Sequence, residues 1–170
     1  MSSQPLLQVR DVQTHFNIKR DGAMFWQKPA TLKAVNGVSF DLKAGETLGV
    51  VGESGCGKST LLKIIAGLIP ADGGEVWLNG RDITLMPSEK RNISLMFQDY
   101  ALFPHLNAWQ NAAFGLRLRG TPKAEARRRT EAVLEQLGMA ALAERRVTAL
   151  SGGEQQRVAL ARALLAEPQV

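Results

Sequence analysis

The sequence has little cysteine, few aromatic residues and no long apolar run, and each shortage excludes a class of protein. Its 170 residues include a single cysteine, Cys56, so neither an intrachain disulfide nor a cysteine-based metal site is available. Aromatic residues make up only 6% of the chain. No apolar run approaches the roughly 20 residues of a membrane span, and the N-terminus lacks the apolar core of a signal peptide. We therefore expect a soluble, cytoplasmic protein.

The composition that remains is that of an ordinary globular domain. Hydrophobic residues account for 45% and charged residues for 22%, which is enough for one domain with a real core. The formal net charge is +5, and the excess is concentrated at residues 127–129 and 145–146. Solvated helix faces explain such clusters better than nucleic-acid binding, because no aromatic residues alternate with them to stack on bases. Nucleic acid is the minority interpretation.

The chain is organised around residues 52–60, Gly-Glu-Ser-Gly-Cys-Gly-Lys-Ser-Thr. They match G-x-x-x-x-G-K-[ST], in which backbone N–H groups surround phosphates, a lysine adds charge and a hydroxyl holds magnesium. The apolar residues 48–51 predict a buried strand before the loop, and leucines and isoleucines at helical spacing over residues 61–68 predict a helix after it. Gly67 is expected to close that helix. A glycine-rich turn without a ligand is the minor alternative.

Two strands are predicted before the loop. Residues 6–16 read as a strand at an exposed sheet edge, and residues 34–42 as a second strand. Asn36 and Gly37 interrupt the second strand as a bulge or a tight bend. Between the strands, residues 17–31 are polar and rich in turn-forming residues, which indicates a long surface loop.

The chain after the loop helix changes from strand patterns to helix patterns. Residues 72–74 predict a turn, residues 75–80 a strand ending in an Asn-Gly hairpin turn, and residues 93–97 a buried strand. Two helices follow, over residues 107–116 and 121–138, each with its own start signal. Because no strand separates them, we expect a distinct helical lobe.

A second anion site is predicted at the start of the last helix. Ser151 and Glu154 have the S-x-x-E spacing of a capping box. Gly152 and Gly153 in the first turn each cost about 1 kcal/mol relative to alanine, but leave the N-terminal N–H groups bare. Taken alone, an ordinary capped helix explains the pattern as well as an anion site does.

Three motifs together make the chain similar to a known family. Residues 52–60 match a Walker A loop, residues 97–99 (Phe-Gln-Asp) a Q-loop and residues 150–155 (Leu-Ser-Gly-Gly-Glu-Gln) a signature motif, in that order. The chain thus resembles the nucleotide-binding subunit of an ATP-binding cassette (ABC) transporter, and the resemblance covers nearly all of it.

The resemblance implies an α/β fold. It would be a P-loop NTPase cassette with an N-terminal antiparallel β subdomain, a partial parallel core sheet and a helical lobe. The single domain over residues 1–170 would divide into the β subdomain and P-loop core at residues 1–98 and the helical lobe at residues 99–165.

The resemblance also implies ATP and Mg²⁺ as cofactors. Gln98 would be the catalytic residue that touches the metal and the attacking water, and Ser59 and Gln98 would be the metal ligands. Phe16 would stack on adenine, with burial at a strand end as its alternative. The implied nucleotide-binding residues are Phe16, Gly52, Ser54, Gly55, Cys56, Gly57, Lys58, Ser59, Thr60, Ser151, Gly152, Gly153 and Gln155.

Features of two importer branches occur in the one chain. Residues 103–106 with Asn111 and residues 114–116 are similar to importers of sugars, polyamines and inorganic anions, whereas residues 17–31 and 33–40 resemble the oligopeptide branch. The implied partners are membrane-spanning permease subunits, a second nucleotide-binding subunit and, indirectly, a solute-binding protein. Such a subunit lies peripherally on the inner face of the cell membrane. The transported cargo is left open.

The sequence stops before three further family motifs. These are an apolar strand ending in Asp-Glu, a D-loop and a switch histidine, whose place neither His15 nor His105 matches. We therefore expect an incomplete cassette that binds nucleotide without completing hydrolysis. Two alternatives stay open: a non-hydrolysing nucleotide-binding or dimerisation module, and a soluble ABC protein acting on nucleic acid or ribosomes.

Overall fold

The computed structural model describes residues 4–18 and 30–170. The chain forms two compact units, residues 1–91 and 92–170. Most of the long loop predicted at residues 17–31 lies outside the described residues. Among those described, no helix is long and apolar enough to cross a membrane.

The first unit contains an antiparallel sheet of four strands, which are β1 (Leu7–Ile18), β2 (Ala30–Leu42), β3 (Gly73–Leu78) and β4 (Arg81–Asp82). Their order in the sheet is β2-β1-β3-β4. β1 lies between β2 and β3, so the prediction that it forms an exposed edge is wrong. Leu7, Val9 and Val12 are buried, and both backbone edges of β1 pair with neighbours. The modest apolar content of β1 suggested an edge strand, but a central antiparallel strand also needs apolar residues on only one face.

The predicted bulge in β2 is confirmed. Val12 pairs with Val38 and Gln13 with Asn36, which leaves Gly37 without a partner on β1. Gly37 has φ 75°, in the left-handed region that glycine adopts readily. The bulge accommodates one extra residue in β2 within a long two-strand ladder.

The turn predicted at residues 72–74 is wrong for its two glycines, which open β3. Gly74 has φ 83°, and a Cβ there would lie 2.3 Å from the Asp11 carbonyl oxygen. Gly74 therefore serves a close approach of β1 and β3 rather than a reversal of the chain. The hairpin turn between β3 and β4 is confirmed, with φ 51° at Asn79 and 72° at Gly80.

The helix after the glycine-rich loop is confirmed as α1 (Lys58–Ile65). At its end, the Gly67 N–H donates to the Ile64 carbonyl at 2.9 Å and the Leu68 N–H donates to the Lys63 carbonyl at 2.8 Å. These two bonds form a Schellman motif, which satisfies carbonyls left free by the last turn.

Neither segment predicted as a parallel core strand forms a strand. Residues 48–51 and 93–97 have no ladder partner in the described part of the chain. Val51 is 95% exposed, and Leu48 and Val50 are each 45% exposed. A parallel strand is stabilised by neighbours on its edges and by cover on both faces, and apolar sequence alone supplies neither. The strand predictions are thus wrong for these segments.

The second unit is helical, and its core is apolar. Leu134, Met139 and Val158 are fully buried in one cluster. The predicted helix over residues 107–116 is present but divided at Ala113. In chain order the helices of this unit are α2 (Ala108–Ala112), α3 (Phe114–Leu118), α4 (Lys123–Gln136) and α5 (Gly152–Leu165), and the short 3-10 helices of the whole chain are Ser88–Lys90, Ala140–Leu142 and Val147–Ala149.

Candidate functional site

The start of α1 presents unsatisfied backbone donors. Its N-cap residue, Gly57, has φ 90° and supplies no side chain to cap the helix. In the described residues, the backbone N–H groups of Ser59 and Thr60 have no hydrogen-bond acceptor, and the backbone N–H of Lys58 lies against the Cys56 thiol. These donors and the positive end of the helix dipole point the same way, which favours an anion at this end of α1.

The Lys58 side chain folds back into the loop. Its ammonium donates to the carbonyl oxygens of Gly52 at 2.5 Å and Glu53 at 2.8 Å, and to the Cys56 sulfur at 3.3 Å. Both oxygen acceptors are neutral, and no carboxylate pairs with Lys58 in the described part of the chain. A full positive charge therefore lies in the loop without a counter-charge from the protein.

Cys56 shares this electrostatic environment. Its thiol is exposed. The hydrogen bond from Lys58 is the main cause that lowers the pKa of Cys56 below its usual value, while desolvation opposes the shift. A Cβ at Gly52 would lie 2.6 Å from the Cys56 sulfur, so a side chain at this position would require the thiol to move.

Strand β2 fixes the loop from the other side. A Cβ at Gly57 would lie 1.9 Å from the Ala34 carbonyl oxygen, so the loop approaches the β2 backbone closely. Sequence reasoning missed the contribution of β2, because strand pairing rather than any local motif places it here. A cavity of about 330 Å³ opens beside the loop and is lined by Lys33, Ala34, Val35, Asn36, Val38, Val50, Val51, Cys56, Gly57, Lys58 and Leu61.

Phe16 lies near the end of β1 and pairs with Leu32 of β2. Its side chain is 40% exposed, which disfavours the alternative of a buried core residue. An exposed aromatic face is what stacking on a base requires. Its contact with adenine stays a prediction.

The start of α5 carries the predicted capping box. The Ser151 N–H donates to the Glu154 carboxylate at 2.7 Å, and the Glu154 N–H donates to the Ser151 hydroxyl at 3.4 Å. The hydrogen bond from the Ser151 backbone, followed by that from its side chain, lowers the pKa of Glu154. The capping prediction is therefore confirmed.

The two glycines of α5 are not required by packing. A Cβ at Gly152 or Gly153 would meet nothing within 4 Å, and neither residue has positive φ. The fold of this unit thus gives no reason to accept their low helix propensity. Glycine at these two positions would instead be explained by the close approach of a ligand to the backbone, which a side chain would block.

The residues predicted for the site fall in both compact units. Residues 52–60 form one continuous loop and helix start in the first unit. Gln98 is exposed in a turn of the second unit, and the Gln155 side chain donates to the carbonyls of Val147 and Leu150, each at 3.1 Å. Roles for Gln98 and Gln155 at the nucleotide stay predictions.

Protein side chains alone do not build a metal site in the residues described. No cluster of three or more histidine, cysteine, aspartate or glutamate residues is close enough to hold an ion. The Ser59 hydroxyl suits Mg²⁺, which keeps several waters and uses few protein ligands together with substrate phosphates. The donor set thus fits a magnesium ion that arrives with a phosphate-bearing ligand.

A glycine-rich loop, an uncapped helix start and a lysine charge in this order define the P-loop class of protein. The family described as ABC transporter matches residues 35–170 of the chain. The chain belongs to the ABC transporter family. Membership confirms the predicted family and the α/β fold class, although the parallel ladder is absent from the residues described.

Relatives of the chain are ATP-binding proteins of several import systems. It is 51% identical over 133 residues to a molybdate/tungstate import ATP-binding protein of Pyrococcus horikoshii, covering 78% of this chain and 39% of the relative. It is 48% identical over 137 residues to a spermidine/putrescine import ATP-binding protein of Bacteroides thetaiotaomicron, covering 81% and 30%. It is 41% identical over 164 residues to an sn-glycerol-3-phosphate import ATP-binding protein of Ralstonia nicotianae, covering 96% and 41%. The chain spans less than half the length of these relatives.

Proposed function

We propose that the chain is the nucleotide-binding part of an ABC import subunit, which in complete form couples ATP binding and hydrolysis to transport across a membrane. The observation that carries the proposal is the uncompensated Lys58 charge beside the uncapped start of α1. The relatives' names support the import role, and their different cargoes leave this chain's cargo open.

The loop supplies the groups that a nucleotide triphosphate needs. On binding, the Lys58 ammonium exchanges the carbonyls of Gly52 and Glu53 for β- and γ-phosphate oxygens, which carry full charge and accept stronger hydrogen bonds. The N–H groups at the start of α1 then donate to the phosphates. The Ser59 hydroxyl would ligate Mg²⁺, and Gln98 would contact the metal and the attacking water, as in related phosphoryl-transfer sites.

A second copy completes the site. Ser151, Gly152 and Gly153 of one copy contact the γ-phosphate of a nucleotide held by the other, so that two copies enclose two nucleotides. This role accounts for glycines that the helical unit does not need for packing. The further partners are permease subunits, with a solute-binding protein acting through them, and the subunit lies on the inner face of the membrane.

The basic cluster at residues 127–129 supports a protein-internal role for its charge. Arg127 pairs with Glu131 at 2.5 Å and with Glu144 at 2.6 Å, and Arg128 pairs with Glu125 at 2.8 Å. Arginines engaged with carboxylates are poorly placed to contact nucleic-acid phosphates. The charge of the cluster thus favours a transport subunit over a protein that acts on nucleic acid.

Calorimetric titration of the chain with Mg·ATP tests the proposal. We expect saturable binding that Lys58→Ala weakens about 10- to 100-fold, since hydrogen bonds to charged groups contribute about 1.5–3 kcal/mol. The matched control is Lys63→Ala in the last turn of the same helix, which removes one lysine without touching the loop and should bind as the parent does. Absence of binding by the parent chain, or equal affinity in the Lys58→Ala variant, would contradict the proposal.

A further inference from the structure

The turn that follows Gln98 has an unusual backbone. Tyr100 and Ala101 are consecutive residues other than glycine with positive φ, 59° and 43°. Side chains destabilise this left-handed region, and such residues persist only where surrounding groups hold them. One local hydrogen bond, from the Tyr100 N–H to the Phe97 carbonyl at 3.0 Å, closes the turn. That bond leaves the carbonyls of Tyr100 and Ala101 to be held by other groups.

Arg162 of α5 holds both of these carbonyls. Its two terminal nitrogens donate to the Tyr100 oxygen and to the Ala101 oxygen, each at 2.7 Å. The planar guanidinium thus donates one hydrogen bond to each of two adjacent residues that have a strained backbone conformation. The same group lies 6.0 Å from the centroid of the Phe103 ring.

The Arg162 guanidinium depends on these two carbonyls as hydrogen-bond acceptors. Partial burial lowers the pKa of Arg162, and the group nevertheless remains protonated at neutral pH. No carboxylate lies within ion-pair distance of Arg162 in the part of the chain described. A half-buried arginine with no carboxylate partner needs its hydrogen bonds satisfied by the backbone, and the Gln98 turn supplies them.

The downstream end of the segment is anchored separately. Asn111 is fully buried, and its side chain accepts from the Phe103 N–H at 2.8 Å and donates to the carbonyls of Phe103 at 3.1 Å and Asn107 at 3.0 Å. This clamp ties the chain to α2 from Phe103 onward. The short stretch between Gln98 and Phe103 therefore depends on Arg162.

We propose that Arg162 is a positioning residue that holds the Gln98 turn in its left-handed conformation and makes that turn move with α5. The helix that carries Ser151, Gly152 and Gly153 at its start is thereby joined directly to the turn that carries Gln98. Nucleotide contacts at one end of α5 and metal contacts at Gln98 are then parts of one rigid body. The link to the metal rests on the function proposed above, whereas the hold on the turn does not.

Backbone hydrogen exchange tests the hold on the turn. In Arg162→Gln, we expect exchange of the Tyr100 amide, whose hydrogen bond to the Phe97 carbonyl closes the turn, to rise about tenfold or more, while α4 keeps the protection of the parent chain. The matched control is Arg157→Gln on the same helix, whose side chain contacts the Met139 sulfur instead of the turn. Unchanged exchange of the Tyr100 amide in Arg162→Gln would overturn the proposal.

A second variant separates positioning from a general loss of structure. Ala101→Gly removes the side chain that makes the left-handed conformation costly. In the Ala101→Gly background, Arg162→Gln should raise exchange in the turn clearly less than in the parent background. Equal increases in both backgrounds would overturn the proposal. If Arg162→Gln also exposes α4, the comparison is made with Arg162→Lys, for which the same reduction is expected.

The proposed link between Arg162 and the metal is tested by a separate binding measurement. Arg162→Gln and Gln98→Ala should both reduce the factor by which Mg²⁺ tightens ATP binding, and Arg162→Gln should leave ATP affinity measured in chelator unchanged. A full Mg²⁺ effect in Arg162→Gln would overturn the link. If the parent chain binds no ATP, the proposed function fails, and the exchange experiment still decides the role of Arg162.

Discussion

Gly57→Ala should destabilise the start of α1 more than the same change at Gly55. Both glycines have left-handed φ, 90° at Gly57 and 83° at Gly55. A left-handed alanine costs about 1–2 kcal/mol at either site. Only at Gly57 does the added Cβ meet a neighbour, the Ala34 carbonyl oxygen at 1.9 Å, whereas at Gly55 nothing lies within 4 Å.

The contact at Gly57 adds a second cost. Relieving an overlap with backbone requires the loop or β2 to shift, and overpacking of this kind costs about 1–3 kcal/mol. We therefore expect a total of about 2–5 kcal/mol for Gly57→Ala, against about 1–2 kcal/mol for Gly55→Ala. Because a whole domain is stabilised by about 5–15 kcal/mol, the difference between the two variants is large enough to measure.

Hydrogen exchange of the α1 amides is the assay, because it reports the local opening of this helix. Each 1.4 kcal/mol lost corresponds to about a tenfold faster exchange. Gly57→Ala should therefore exchange faster than Gly55→Ala over residues 61–65, with the second unit unaffected in both. Equal exchange in the two variants would refute the inference that close packing of the loop on β2 requires glycine at this position.

Three further results are expected. Alkylation of Cys56 should reach its half-maximal rate at a lower pH than alkylation of a free cysteine, because Lys58 lowers the thiol pKa. Lys58→Ala should raise the pH of half-maximal alkylation, and Mg·ATP should protect the thiol in the parent chain. Identical pH profiles for the parent chain and Lys58→Ala would contradict this. Arg91 is buried and donates to four carbonyls, including those of Ile64 and Ile65 at the end of α1. Arg91→Met should therefore lower the free energy of unfolding of the first unit by roughly 3 kcal/mol in urea unfolding. A loss below about 0.5 kcal/mol would argue against a stabilising role for these hydrogen bonds. The pKa of Glu154 is lowered on folding, so its contribution to stability is complete above its unfolded pKa and is lost as the pH falls through the lower folded pKa. Glu154→Gln should therefore reduce the dependence of unfolding free energy on pH at acid pH. The same pH dependence in Glu154→Gln and the parent chain would contradict this.

Features with a local cause were predictable from the sequence. The start of α1, the Schellman end at Gly67, the Asn-Gly hairpin and the capping box at Ser151 each depend on residues within a few positions of one another. Such signals specify conformation through side chain and backbone in the same turn. The phosphate-loop motif belongs to this group as well.

Features that depend on distant partners were not predictable in the same way. The central position of β1 follows from pairing with β3, which lies far along the chain. Residues 48–51 are as apolar as a buried strand but lack neighbours in the described residues. The sequence analysis singled out neither Arg91 nor Arg162, and only the fold shows that each donates to backbone carbonyls instead of carboxylates. No local pattern announces such a contact.

The central claim is that the start of α1 and Lys58 together receive nucleotide phosphates. A nitrogen-proton correlation spectrum of the labelled chain, titrated with Mg·ATP, tests it at the atoms concerned. The N–H signals of Lys58, Ser59 and Thr60 should move downfield and saturate together as they gain phosphate acceptors. In Lys58→Ala, the movement of the Ser59 and Thr60 signals should require about 10- to 100-fold more nucleotide. Signals that stay in place at saturating nucleotide, or that move over the same nucleotide concentrations in Lys58→Ala, would contradict the account.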